Sequence, residues 1–148
     1  MSDTTNETIK VKAELLNDKV QFRGVSEANP GRPVQFDYIA PIGDGDGFAG
    51  LELLLLSLAG CSATGVAYVV RKMGKTVDSL SVNATGVKRE TPLPMRFVTI
   101  DLEFALRSPG LTEAEAERAL AIVEESVCPV WGMIRGNCEV RAQIKLLD

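Results

Sequence analysis

The sequence contains no histidine. That absence excludes Ser-His-Asp and Cys-His catalysis and every histidine-based metal site. Proton transfer must fall to carboxylates, thiols, lysine, tyrosine or water, and tyrosine occurs only as Tyr38 and Tyr68. Cysteine is sparse and odd in number. Cys61, Cys128 and Cys138 do not make a disulfide scaffold, and no CxxC spacing offers a zinc knuckle or a thioredoxin-type motif. Dense basic runs are also missing. The net charge is −4, and nothing exceeds the pairs Arg71-Lys72 and Lys88-Arg89, which argues against a nucleic-acid partner. The N-terminal MSDTTNET carries no apolar segment of a secretory signal. The expectation is reduced thiols in the cytoplasm. No motif calls for a cofactor or a metal.

What is present is a chain of 148 residues, 45% of them hydrophobic, enough for one domain with a real core. Its most distinctive stretch is residues 51–70, LELLLLSLAGCSATGVAYVV, with Cys61 at the centre and no charge after Glu52. The length suits a membrane span of about 18 residues. Gly60, Ser62, Thr64 and Gly65 dilute its second half, so a buried helix is preferred and no span is expected. A helix apolar on every face is unusual in so small a protein. Burial between two copies of the chain resolves this, so the run suggests a homodimer.

Residues 1–7 read as a disordered tail and 8–148 as a single domain. Ile9, Val11, Ala13 and Leu15 alternate with polar residues as in a half-buried strand, and Val20, Phe22 and Gly24 continue after the turn signal Asn17-Asp18. A second turn is expected at residues 28–31, ANPG, before a strand through Val34, Phe36 and Tyr38. Residues 41–50, PIGDGDGFAG, read as a flexible entry to the long helix. Asp44 and Asp46 resemble the start of a calcium loop, but Phe48 and Leu55 would fall at its fifth and twelfth positions and cannot ligate. The helix should stop at Lys72-Met73-Gly74. Strands follow through Leu80, Val82 and Ala84 and through Val98, Ile100, Leu102, Phe104 and Leu106. Thr112 with Glu115 forms a capping box for a second helix, whose stripe is Ala116, Ala119, Leu120, Val123 and Val127. Pro129 ends or kinks it, with a short helical turn over 130–135, and Val140, Ala142, Ile144 and Leu146 make a last strand. The order β-β-β-α-β-β-α-β predicts an α+β fold with antiparallel sheets and a long buried central helix.

The three thiols differ. Cys138 is in phase with Val140 and Ala142 and reads as a packed core cysteine. Cys128 sits at a helix C-terminus, where the partial negative charge disfavours a thiolate, so it is a poor first nucleophile that can still resolve. Cys61 lies in apolar surroundings, which make a thiol inert unless the fold brings it a cation or a donor. Arg71 is roughly 15 Å further along such a helix and Glu52 roughly 13 Å back, out of reach. The remaining cations are Lys19, Arg23 and Arg32 in the N-terminal strands, or one from a partner chain.

The segment ELLLLSLAGC at 52–61, the long apolar helix after it, and CPV at 128–130 near the end of a second helix resemble the OsmC/Ohr family, the osmotically inducible protein C and organic hydroperoxide resistance proteins. The likeness runs over residues 9–147. Glu52, nine positions before the cysteine, with Leu51 at ten, is similar to the less characterised OsmC-like branch. The resemblance implies an intertwined α+β homodimer with the cysteine helices at its centre. It implies thiol peroxidase chemistry: Cys61 as peroxidatic thiol attacking an organic hydroperoxide, Cys128 as resolving thiol, Glu52 in support, Arg32 or Arg23 as activating cation, and a dithiol, lipoyl-type in the family, as reductant. No arginine occurs in residues 37–50, where one subgroup carries its activating cation. The second reading on the same fold is a non-catalytic protein that binds a small ligand or senses redox state.

Overall fold

The computed structural model describes residues 6–148, so most of the expected N-terminal tail lies outside the described residues. The described chain forms two compact units, up to Leu53 and from Leu54 onward.

The first unit is an antiparallel sheet of β1 (Val11–Leu15), β2 (Phe22–Ser26) and β3 (Asn29–Phe36), in that order. Asn17 builds the first turn: its Oδ1 accepts the N–H groups of Lys19 (3.0 Å) and Gln21 (3.1 Å). The second turn falls two positions earlier than the sequence suggests. Asn29 already pairs with Ser26, so Pro30 and Gly31 belong to β3. Proline is accepted there because β3 is an edge strand and that N–H has no ladder partner to serve.

The Gly/Asp loop after β3 is pinned rather than a flexible entry. Buried Asp37 accepts the N–H groups of Tyr38 (2.7 Å), Asp46 (3.0 Å) and Asp44 (3.2 Å). Asp44 in turn pairs with Lys19 at 2.6 Å, and the Asp46 carboxylate accepts from Gln21 and Gln35. The chain wraps so tightly that a Cβ at Gly43 would lie 2.2 Å from Asp37 Oδ1. Glycine is therefore required by space. The Asp46 N–H above all holds the Asp37 carboxyl below its usual range, against the opposing effect of burial, with Tyr38, Asp44 and Lys19 adding to it.

The long helix α1 spans Gly50–Lys72. Arg71 and Lys72 complement the dipole of its last turn, and Gly74, at φ +83°, ends it. The Lys75 N–H reaches the Val70 carbonyl and the Gly74 N–H that of Arg71. The helix is long and apolar enough to cross a membrane by length and composition. Within this chain it is not buried on all sides, as the sequence suggests. One stripe is buried, namely Leu58, Ala59, Ser62, Gly65, Val66, Val69 and Val70. Leu56 and Tyr68 are half exposed. The reason is physical: one chain offers a single face to pack against, and apolar composition does not supply a second.

The second unit carries β4 (Ser79–Arg89), β5 (Arg96–Arg107) and β6 (Glu139–Leu146), with β5 central. Ile100, Leu102, Phe104 and Leu106 of β5 are buried, and their outward neighbours Glu103 and Arg107 are exposed. β4 and β5 are antiparallel, but β5 and β6 run parallel, which corrects the antiparallel expectation for this sheet. The cause lies between them. Helix α2 (Glu113–Ile122), a π-helical turn (Val123–Val127) and helix α3 (Pro129–Ile134) fill the connection. A crossover of that length returns the chain in the same direction. The Thr112/Glu115 capping box opens α2 with both reciprocal bonds made.

Asp37→Asn tests the loop. Because the native carboxyl titrates below its ordinary value near 3.9, its contribution is present above that pH and is lost as pH falls through the native value. The variant should melt lower than the parent at pH 7, and the gap should close as pH drops below about 4. Melting curves measured across that range check this.

Candidate functional site

Cys61 lies mid-way along α1 on the edge of its buried stripe and is half-buried. Cys128 is buried, between the π-helical turn and α3. The Cys61 and Cys128 thiols are close neighbours, and both are reduced. Of the sequence candidates, the structure brings this pair together.

Three local features place Cys128. Its N–H closes the π-helical turn on the Val123 carbonyl at 3.0 Å. Pro129 occupies the first position of α3, where a missing N–H does no harm. The Cys128 Sγ then accepts the Trp131 N–H at 3.4 Å and so acts as the N-cap of α3. Cys128 thus sits at a helix C-terminus, as the sequence suggests, and its thiol also faces the donor end of the next helix. Burial still pushes the Cys128 thiol up. The Trp131 N–H opposes that, and the adjacent Cys61 adds to the rise. Cys128 therefore remains a protonated thiol at neutral pH.

Glu52 lies in the first turn of α1. Its Oε1 accepts the Ala49 N–H at 2.9 Å, so it holds the start of α1. It stands roughly 13 Å before Cys61 along the helix axis. In the first unit, Lys19 is paired with Asp44, and Arg23 lies 3.8 Å from Glu14. Arg32 has no ion-pair partner among the described residues. It borders a groove of about 330 Å³ with Lys12 and the apolar side chains Val11, Val34, Phe36 and Leu53. Cys138 is half-buried just before β6, where burial pushes its thiol up and Arg96 opposes this. Among the described residues no cluster of three His, Cys, Asp or Glu could hold a metal ion.

Sequence reasoning missed two contributors, Trp131 and Gly65. Trp131 supplies the N–H that Cys128 caps. The signal for it was available, since proline directly after a polar or thiol residue is also an N-cap–N1 pattern. Gly65 is where α1 meets Val123 and Val127. Nothing in the sequence separates it from Gly60.

The comparisons agree with the fold. A model of the OsmC-like protein family matches residues 43–143. The Escherichia coli protein YhfA is 31% identical over 84 residues, 57% of this chain and 62% of YhfA's own length. The crystal structure of an OsmC-like protein from Mycoplasma pneumoniae superposes with a TM-score of 0.82 at 21% identity, over 97% of this chain and all of that one. An organic hydroperoxide resistance protein OsmC from Legionella pneumophila gives 0.74 at 19% identity, over 96% of this chain and 99% of the other. The chain belongs to the OsmC-like family.

The capping role of Cys128 is testable apart from any chemistry. Cys128→Ser keeps an acceptor for the Trp131 N–H and should retain parental stability. Cys128→Ala leaves that N–H without a partner and should lose about 1 kcal/mol relative to the serine variant. Chemical denaturation of both variants decides it.

Proposed function

We propose that this OsmC-like protein is a thiol-dependent reductase of organic hydroperoxides, with Cys61 as the attacking thiol and Cys128 as the resolving one. The contact between the two sulfurs carries the proposal. As a thiolate, Cys61 attacks the distal peroxide oxygen. An S–O bond forms, the O–O bond breaks, and the alkoxide leaves as the alcohol after taking a proton. The Cys61 sulfenic acid then condenses with the Cys128 thiol, forming the disulfide and releasing water. A dithiol of the lipoyl type restores both thiols by exchange and closes its own disulfide. A reducing cytoplasm suits this cycle.

Among the cations of the first unit, Arg32 is our candidate for activating the thiolate. Lys19 and Arg23 have carboxylate neighbours, and the exposed Arg32 has none among the described residues. The working form is a homodimer. Leu54, Leu56 and Tyr68 on α1 and Val11 and Val34 on the first sheet are apolar or aromatic surfaces left open by a single chain. Glu52 supports the site by holding the start of α1 rather than by touching sulfur.

A rival reading draws on the groove beside Arg32, which would suit a small acidic and apolar ligand without any turnover. Reactivity separates the two. Stopped-flow oxidation of the reduced protein should be fast with cumene hydroperoxide, slower with hydrogen peroxide, and abolished in Cys61→Ser. Cys128→Ser should react once and retain a sulfenic acid. Arg32→Ala should slow the first step by about tenfold or more, and Arg23→Ala should not. Oxidation no faster than that of a free thiol would favour the ligand-binding protein. Sedimentation at twice the 15.9 kDa chain mass is expected, and a stable monomer would defeat the dimer.

A further inference from the structure

We propose that Gly65 is the positioning residue of the thiol pair: by having no side chain, it lets α1 approach the π-helical turn closely enough for Cys61 and Cys128 to bond. This rests on the reading of the two thiols as one redox unit.

Gly65 lies one helical turn after Cys61 on the same face of α1. A Cβ placed there would stand 3.0 and 3.1 Å from the two Cγ atoms of Val123 and 3.2 Å from Val127 Cγ1. Each separation is tighter than ordinary van der Waals contact. Val123 is fully buried and cannot swing away. The distance between packed helices follows the side chains at their point of contact. A methyl at this position would therefore push the two backbones apart.

The residues it would push are those that hold Cys128. The Val123 carbonyl accepts the Cys128 N–H at 3.0 Å, and Val127 directly precedes Cys128. A shift of a few tenths of an ångström would pass directly to the sulfur. Disulfide formation tolerates little error, because the S–S length and the Cβ separation are narrowly set. Gly60 makes the contrast. It occupies the same helix beside Cys61, yet a Cβ there meets nothing within 4 Å in this chain. Both glycines weaken an isolated helix to a similar extent. Only the one at 65 answers to a close approach.

The test is the equilibrium between the reduced full-length protein and oxidised glutathione. Closing the Cys61–Cys128 bond consumes one glutathione disulfide and releases two glutathione thiols. Gly65→Ala should lower the equilibrium constant for closure by about tenfold or more. The double variant Gly65→Ala/Val123→Ala removes both Cγ atoms of Val123 that the new methyl would meet and should recover the parental constant to within about threefold. Gly60→Ala should leave the constant unchanged. A merely structural role would lower the melting temperature of Gly65→Ala without altering the constant of the folded protein. If Gly65→Ala does not fold, Val123→Ile crowds the same contact from the other side and should shift the constant in the same direction. Parental constants in both crowded variants, or no recovery in the double variant, would overturn the role of Gly65. If the parent itself forms no Cys61–Cys128 bond with glutathione, the redox unit fails and Gly65 with it. Peroxide enters none of these measurements, so a protein that closes its disulfide but reacts slowly with peroxide still tests Gly65.

Discussion

Two sulfurs far apart in sequence share one contact, and the second unit of the protein can be understood from that constraint. Cys61 needs a straight helix with a narrow buried stripe, which α1 provides through Leu58, Ala59, Ser62 and Val66. Cys128 needs to be turned toward it at the end of another helix. The π-helical turn and the proline after it provide that, since together they stop one helix and start the next on the same sulfur. The parallel β5/β6 pair follows as well. A chain that must build α2, the π-helical turn and α3 before its last strand returns as a crossover, not a hairpin.

The thiol proposed to resolve also caps. Cys128 gives its sulfur to the Trp131 N–H while burial keeps it protonated. These effects pull the same group in opposite directions, and burial prevails. A protonated, buried partner suits a thiol that waits for a sulfenic acid and does not compete for the peroxide. Charge in the first unit is arranged differently. Lys19 and Asp44 tie a loop to a hairpin, and that loop is centred on the Asp37 carboxylate. Cations used in this way stabilise a fold.

Much of this was legible in the residues. Strand alternation gave the inward face of β5, Thr112 and Glu115 marked the start of α2, and Lys72 to Gly74 marked the end of α1. The two thiols were singled out by the resemblance to the OsmC/Ohr family, since the apolar surroundings of Cys61 alone read as those of an inert thiol. The parallel register could not, because a half-buried strand alternates in the same way whichever direction its neighbour runs. Pro129 marked both the end of one helix and the short helix after it; that Cys128 caps the second was missed. The loop at 41–50 looked flexible because its partners Lys19, Gln21 and Gln35 are distant in sequence. Apolar composition on every face of α1 said that burial was needed, not what would supply it. Gly60 and Gly65 read alike, and only the packing tells them apart.

The central claim is that Cys61 and Cys128 act as one redox unit and Cys138 stands outside it. Peptide mapping under non-reducing conditions, after the reduced protein meets a single equivalent of cumene hydroperoxide, tests this most directly. A cross-link between the peptides of Cys61 and Cys128, with Cys138 recovered as a free thiol, is the predicted result. A Cys61 peptide that stays unlinked, or that is joined to Cys138, would contradict it.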